Sequence, residues 1–152
     1  MDQLLFCISN KLVGNKVSDG ALEFAYQGPL LELVGDSALV AISGQVNFNV
    51  VKKNGDTKKG ISNESFVVSN GDKIDILSTR NSVYGYLSIF GGFKLKEIKE
   101  SFSTLVKAKI GPNNGDKLKS EDKIFFNKSK STDKTKKIQL NFDEDNKIRV
   151  MK

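Results

Sequence analysis

Two periods of alternation divide this chain. Leu4, Leu5, Ile8 and Leu12 recur at three- and four-residue spacing, which predicts one short helix over 2–13. Asp2 can cap its first turn, Lys11 sits favourably in its last, and Gly14-Asn15 stops it. From residue 21 onward the period is two. Residues 21–26 read as a strand broken by Gly28-Pro29, and Leu31 and Leu33 alternate around Glu32. Residues 38–42 are apolar on both faces, which predicts a strand covered on both sides. Val46, Phe48 and Val50 alternate with Asn47 and Asn49 up to Asn54-Gly55, the strongest short hairpin signal in the chain. The next strand begins at 66–68, and Ser69-Asn70-Gly71-Asp72 turns the chain into Ile74 and Ile76.

The pattern centres on the strand that follows. Val83, Gly85, Leu87 and Ile89 share one face, and Tyr84, Tyr86, Ser88 and Phe90 the other, so both faces are expected to be at least half covered. Gly91-Gly92 ends it, because glycine can turn the chain through positive φ. Beyond it, 95–100 reads as a single helical turn and 124–126 as a last strand of the block. Residues 127–137 contain no apolar side chain and read as a linker. Ile138, Leu140 and Phe142, then Ile148 and Val150, alternate again as a hairpin. Many short strands, one helix and no βαβ rhythm predict an all-β, mainly antiparallel fold. A closed barrel is favoured because closure removes exposed edges.

A length of 152 residues suits one core. The longest apolar run, 38–42, is far short of a bilayer span, and the N-terminus carries an acid where a signal peptide has basic residues. The lone Cys7 excludes an intrachain disulfide, fits a reducing compartment, and lies in the helix's apolar stretch, where it reads as a core residue. A cytoplasmic location is expected. The net charge is +6, but the lysines gather in a hairpin tip at 52–59 and a tail at 117–137, whose only aromatics are the adjacent Phe125 and Phe126. Those runs read as solvated loops, so neither nucleic acid nor membrane is expected as a partner.

The absence of histidine removes Ser-His-Asp and Cys-His catalysis and the usual zinc sites, so no metal is expected. No Walker A or dinucleotide fingerprint occurs. What remains are hydrogen-bond donors near a strand end: the amides of Gly91 and Gly92 and the hydroxyls of Ser101, Ser103 and Thr104. Such groups can hold a carboxylate or amide, or stabilise an oxyanion; a satisfied turn and loop would carry the same residues.

An ordered series of short motifs carries a resemblance. Asn10-Lys11-Leu12-Val13-Gly14-Asn15, followed by Ala21-Leu22-Glu23 and Gly28-Pro29, resembles the N-R-L-V-G-N … A-L-E … G-P run of the allophanate hydrolase subunit 2 family. Ser43-Gly44, Asn70-Gly71-Asp72, the run from Gly85 to Phe93, the run from Glu100 to Thr104 and the run from Gly115 to Asp122 resemble its later motifs in order. Two departures stand out. The family's glycine before S-x-S-T is Glu100 here, and the aromatic, glycine-rich run after it is reduced to 105–111.

The resemblance implies a cyclophilin-like closed barrel with a short N-terminal helix, spanning 1–126. It implies a linker over 127–137 and a hairpin over 138–152 that leads to a second subdomain, with 128–152 loosely held. Met1-Asp2 and Ile148-Arg149-Val150 look like internal stretches of longer family members, so the chain is expected to be half of a protein. The implied function is a subunit of an ATP-dependent 5-oxoprolinase or a related urea or amide carboxyltransferase-hydrolase. It would bind a small lactam or amide with an allophanate hydrolase subunit 1-like partner and a lactam-opening subunit, and be inactive alone. No cofactor is expected on this chain itself; ATP is used by the complex, with biotin if it transfers a carboxyl group. The implied substrate-binding residues are Tyr86, Gly91, Gly92, Ser101, Ser103 and Thr104, with Asn10 and Glu23 besides. Another branch of the family implies a different role, a regulatory module that antagonises a kinase inhibitor; a barrel with no ligand is the plainest alternative.

Overall fold

The helix forms where its caps place it. In the computed structural model, which describes residues 1–127 and 135–140, α1 spans Gln3–Val13. The Asp2 carboxylate accepts from the Leu5 N–H at 3.1 Å, and Gly14, at φ 85°, closes the last turn. Leu5, Ile8, Ser9, Leu12 and Val13 face inward. Leu4 falls on the solvent side of the 3.6-residue period, and Cys7 is only half-buried rather than a core residue.

Eight strands follow: β1 (Leu22–Ala25), β2 (Leu30–Glu32), β3 (Ala38–Ser43), β4 (Val46–Val51), β5 (Thr57–Lys59), β6 (Ser65–Val68), β7 (Lys73–Thr79) and β8 (Tyr84–Ile89). They make two four-stranded antiparallel sheets, ordered β1-β8-β3-β6 and β2-β7-β4-β5. The runs β1–β2, β3–β4, β5–β6 and β7–β8 each start in one sheet and end in the other, so the two sheets are long strands creased along one line. Strands that switch sheets at bends are one way two packed sheets share corners. Residues in left-handed conformation sit on the crease: Tyr26 (φ 62°), Gly44 (φ 107°) and Asn63 (φ 62°). Asn63 stitches it, accepting from the Gly44 N–H at 3.0 Å and donating back to the Gly44 carbonyl at 3.2 Å. Arg80 N–H to Gln45 O and Tyr26 N–H to Val83 O continue the seam.

The antiparallel all-β architecture with one helix follows the sequence pattern and is consistent with a cyclophilin-like barrel, but no sheet is closed by hydrogen bonds among the described residues. The reason lies at the edges. β5 is Thr57-Lys58-Lys59, exposed throughout, and two lysines in a three-residue edge suit solvent rather than a closing partner. This polar strand escaped the sequence pattern, since it is held by its ladder with β4 and not by burial.

All six residues of β3 are buried, because it is covered on both sides. Val40, Ile42, Phe48, Ile76, Leu87 and Ile89 pack between the sheets, while Leu39 and Ala41 meet Ile8, Leu12 and Val13 of the helix. Hydroxyls let the helix approach closely. Ser43 Oγ donates to the Leu5 carbonyl at 2.6 Å. Ser9 Oγ donates to Phe6 O at 2.8 Å and lies 2.8 Å from Ser88 Oγ, so the Ser88 hydroxyl is the donor of that pair.

Residues 95–100 are not helical. Ile98 pairs with Ser101 across Lys99 (φ 51°) and Glu100 (φ 60°), two successive left-handed residues that make a tight reverse turn and forbid a right-handed one. The segment 135–140 is anchored rather than loose. Lys136 donates to Ser65 Oγ at 2.7 Å, Ile138 N–H bonds Asn63 O at 2.9 Å, and Ile138 and Leu140 pack on the helix-side core. The remainder of the expected linker and hairpin, 128–134 and 141–152, lies outside the described residues.

Asp72 locks the far ends of the strands. Its buried carboxylate accepts from Lys52 Nζ at 2.7 Å, the Ser69 N–H at 3.0 Å and the Lys53 N–H at 3.1 Å. These contacts, the Lys52 hydrogen bond foremost, hold its pKa below the ordinary carboxylate value. A depressed folded-state pKa contributes stability that is complete above the unfolded pKa of about 3.9 and lost as pH falls through the folded value. Asp72→Asn is therefore expected to lower stability by about 1–3 kcal/mol at neutral pH. It should also flatten the fall in stability below about pH 4, read as denaturation midpoints across pH. Conversely, Glu100→Gly removes a side chain from a left-handed position and is expected to stabilise the protein by about 1 kcal/mol, read as a raised urea midpoint.

Candidate functional site

Three of the residues implied by resemblance, Tyr86, Glu23 and Asn10, are tied into internal hydrogen bonds. Tyr86 lies directly opposite Glu23 in the β1–β8 ladder. Its buried phenol donates to Glu23 Oε2 at 2.6 Å and accepts from the Asp2 N–H at 2.6 Å, and its ring meets Phe6 edge-on at 5.9 Å. Burial, and then the Glu23 carboxylate, push the phenol's pKa well above its ordinary value, so it stays a neutral donor. Tyr86 and Glu23 thus pin the start of the helix to the sheet. Asn10 is wholly buried, donates to the Asp19 carbonyl at 2.7 Å, and accepts from Asn15 Nδ2 at 3.3 Å.

Asn15 connects this group to the glycine pair. Its Oδ1 accepts from the Gly91 N–H at 3.0 Å, and its Nδ2 donates to the Ile89 carbonyl at 2.9 Å. The Gly92 N–H bonds Ile89 O at 3.0 Å, closing a turn in which both glycines have positive φ. The two amides expected as free donors are therefore engaged within the protein. What the turn contributes is shape: its backbone can lie in the wall of a cleft.

The hydroxyl cluster does not converge on that turn. Ser101 Oγ accepts from the Ser103 N–H at 3.1 Å, and Ser103 and Thr104 are exposed. Phe102 between them turns inward. With Gly20, Leu95 and the Gly91-Gly92 turn it bounds an open cleft of about 600 Å³. Gly20 lets Leu95 and Phe102 close on the backbone: a Cβ there would sit 2.5 Å from Leu95 Cδ1 and 3.4 Å from Phe102 Cβ. Asp19, Phe93, Lys94, Lys96 and Asn127 complete the rim. Of the residues implied by resemblance, Gly91 and Gly92 line this cleft.

The residues that give the cleft its chemistry were not singled out from the sequence. Lys94 and Lys96 alternate in the run Phe93-Lys94-Leu95-Lys96, a signal of extended chain masked by reading 95–100 as a helical turn. Phe102 was legible only as the apolar residue inside a hydroxyl cluster. A second cavity of about 940 Å³ opens between the sheets and is walled mainly by Leu, Val, Ile and Phe side chains, sharing Phe93, Lys94 and Asn127 with the first. Among the described residues no group of His, Cys, Asp or Glu could hold a metal, and no helix is long and apolar enough to cross a membrane.

Comparisons with known proteins identify the family and the fold. The family model described as carboxyltransferase domain, subdomain A and B, matches residues 1–152. Urea amidolyase of Lachancea kluyveri is 31% identical over 127 residues, covering 84% of this chain and 7% of that protein. The crystal structure of Kluyveromyces lactis urea carboxylase superposes with a TM-score of 0.77 at 32% identity, covering 87% of this chain and 12% of that one. The crystal structure of TTHA0988 shares the fold, with a TM-score of 0.79 at 23% identity, over 92% of this chain and 27% of that one. The chain thus spans a small part of the length of its curated relatives, and it belongs to the family of carboxyltransferase domains built from subdomains A and B.

Proposed function

We propose that this chain is the substrate-handling subdomain of an ATP-dependent complex. That complex would act on a small amide or lactam such as urea or 5-oxoproline, with an allophanate hydrolase subunit 1-like partner and a lactam-opening subunit. One observation carries this reading: in a carboxyltransferase-family chain, the strand-ending glycine turn lines an open cleft together with Leu95, Phe93 and Phe102. Apolar rings beside polar groups suit a small amide or lactam. Histidine is absent from the sequence, and the titratable side chains in the described lining are Asp19, Lys94 and Lys96; on this reading the partner supplies the remaining reacting groups.

ATP does not fit here. The Gly91 and Gly92 amides are bonded internally and form no phosphate cradle, so nucleotide chemistry belongs to the rest of the complex. Biotin's cyclic ureide has the donor and carbonyl of a lactam, so Asn127 and the Phe93 and Phe102 rings would hold it. Carboxylated on its ureide nitrogen elsewhere in the complex, it would supply the carboxyl group for a transfer reaction.

Reconstitution tests the proposal. The chain alone is expected to show no 5-oxoproline- or urea-dependent ATP hydrolysis, and to acquire it on assembly with its partners. Phe102→Ala should leave assembly intact and lower turnover by about tenfold or more. A chain that never co-purifies with a subunit 1-like partner, or a variant complex with unchanged turnover, overturns it.

A further inference from the structure

We propose that the cavity between the two sheets is a second binding site, one that takes an uncharged, mainly apolar small molecule. It lies among the loop after β2, the inner faces of β3, β6, β7 and β8, and residues 121–127. Phe93, Lys94 and Asn127 line both this cavity and the cleft beside the glycine turn, but the chemistry of the two differs.

The floor carries no polar side-chain atom. Val40, Val68, Ile74, Leu87 and Ile89 belong to the core between the sheets and are each less than one-tenth exposed. Their backbones offer little more, because β3, β7 and β8 are each laddered to a neighbour on both sides. A water held in a cavity needs about two to four polar partners, and this floor supplies no side chain for the purpose. Protein interiors keep few voids larger than one water, whose share of liquid volume is about 30 Å³. A space of about 940 Å³ is far beyond such a packing defect and has the size of a small-molecule site.

The mouth is apolar as well. Val34 is 78% exposed and Phe125 65% exposed, although both line the cavity. Behind them the partly buried Leu31, Leu33, Phe93 and Phe126 pack on the core. An apolar occupant resting on the floor would cover Val34 and Phe125, removing from water two large side chains that the fold leaves outside.

Charge decides against an ionised ligand. Glu32, Asp36, Glu121 and Asp122 stand in the lining with Lys94 and Lys123. Glu32 is matched by Lys73 at 3.8 Å, and Asp122 accepts from the Lys119 N–H at 2.8 Å. With Glu32 matched, three carboxylates remain against two ammoniums, so neither sign holds a large surplus. An anion or cation drawn down to the floor would lose its hydration with no counter-charge beside it, and an uncharged molecule escapes that cost.

Methyl-detected NMR titration of the full, isotope-labelled chain tests this with three compact probes: toluene, benzoate and benzylamine. Toluene is expected to move the methyl signals of Val34, Val40, Val68 and Ile74, with half-saturation about tenfold or more below that of either charged probe. Ala38 lies on the inner face of β3 in the cavity wall, so Ala38→Leu should weaken toluene binding by about tenfold while filling the space. Val34→Ser, at an exposed position that folding does not need, should weaken it by about threefold. Equal half-saturation by the three probes, or binding unchanged in both variants, overturns the proposal. Signals that move only at Gly20 and Phe102 would place toluene in the other cleft and overturn it too. Silence of the cavity methyls towards toluene does the same. Movement of those methyls on diluting the free chain would make a second copy the occupant and likewise overturn it.

Discussion

The double coverage of β3 and β8 is the constraint on which the rest of the structure depends. These two strands lie at the centre of one sheet, with the second sheet against one face and α1 against the other. An apolar inner face is easily satisfied by packing, but the outer face must admit a helix at short range. The sequence meets this with small and hydroxylated residues, Ala41, Ser43 and Ser88, whose polar atoms bond to the helix backbone or to Ser9. Tyr86 is the large exception, and it is held by the helix's own N-terminal amide and by Glu23. Replacing any of these with a bulky aliphatic side chain would lift the helix and, through Asn10 and Asn15, displace the Gly91-Gly92 turn.

This linkage explains how a strand end comes to form part of a cleft wall. The helix C-terminus, the Asn15 side chain and the Gly91 amide form one hydrogen-bonded chain, and Asn127 closes it from the other side through the Gly91 carbonyl. Asn10, an implied site residue, and Gly91 are thus joined in one hydrogen-bonded group, with Gly91 in the cleft lining. The rest of the cleft lining, Lys94, Lys96, Phe102 and Asn127 included, comes from the irregular segment after the last strand. Irregular segments over a rigid scaffold commonly carry function.

Much of the scaffold was legible in the sequence, because period-two alternation and buried runs report burial directly. The helix bounds, the two-sided strand at 38–42 and the facing of Leu87 against Tyr86 all follow from it. β5 was illegible because an exposed lysine strand has no hydrophobic period. The turn at Lys99-Glu100 was illegible because neither residue favours left-handed backbone, so local preference pointed to a helix that tertiary context overrides. The crease was hidden for another reason. Gly28-Pro29 read only as a break in one strand, and only the alignment of Tyr26, Gly44 and Asn63 in space shows a single feature.

That crease bears on how the molecule comes apart. Because β1–β2, β3–β4, β5–β6 and β7–β8 each run through both sheets, neither sheet owns a set of strands it could release by itself. Peeling an edge from one sheet pulls on the bend and then on the edge of the other. The two layers are thereby coupled into a single cooperative unit, and the irregular segment that carries the cleft borders it without adding a strand to either sheet.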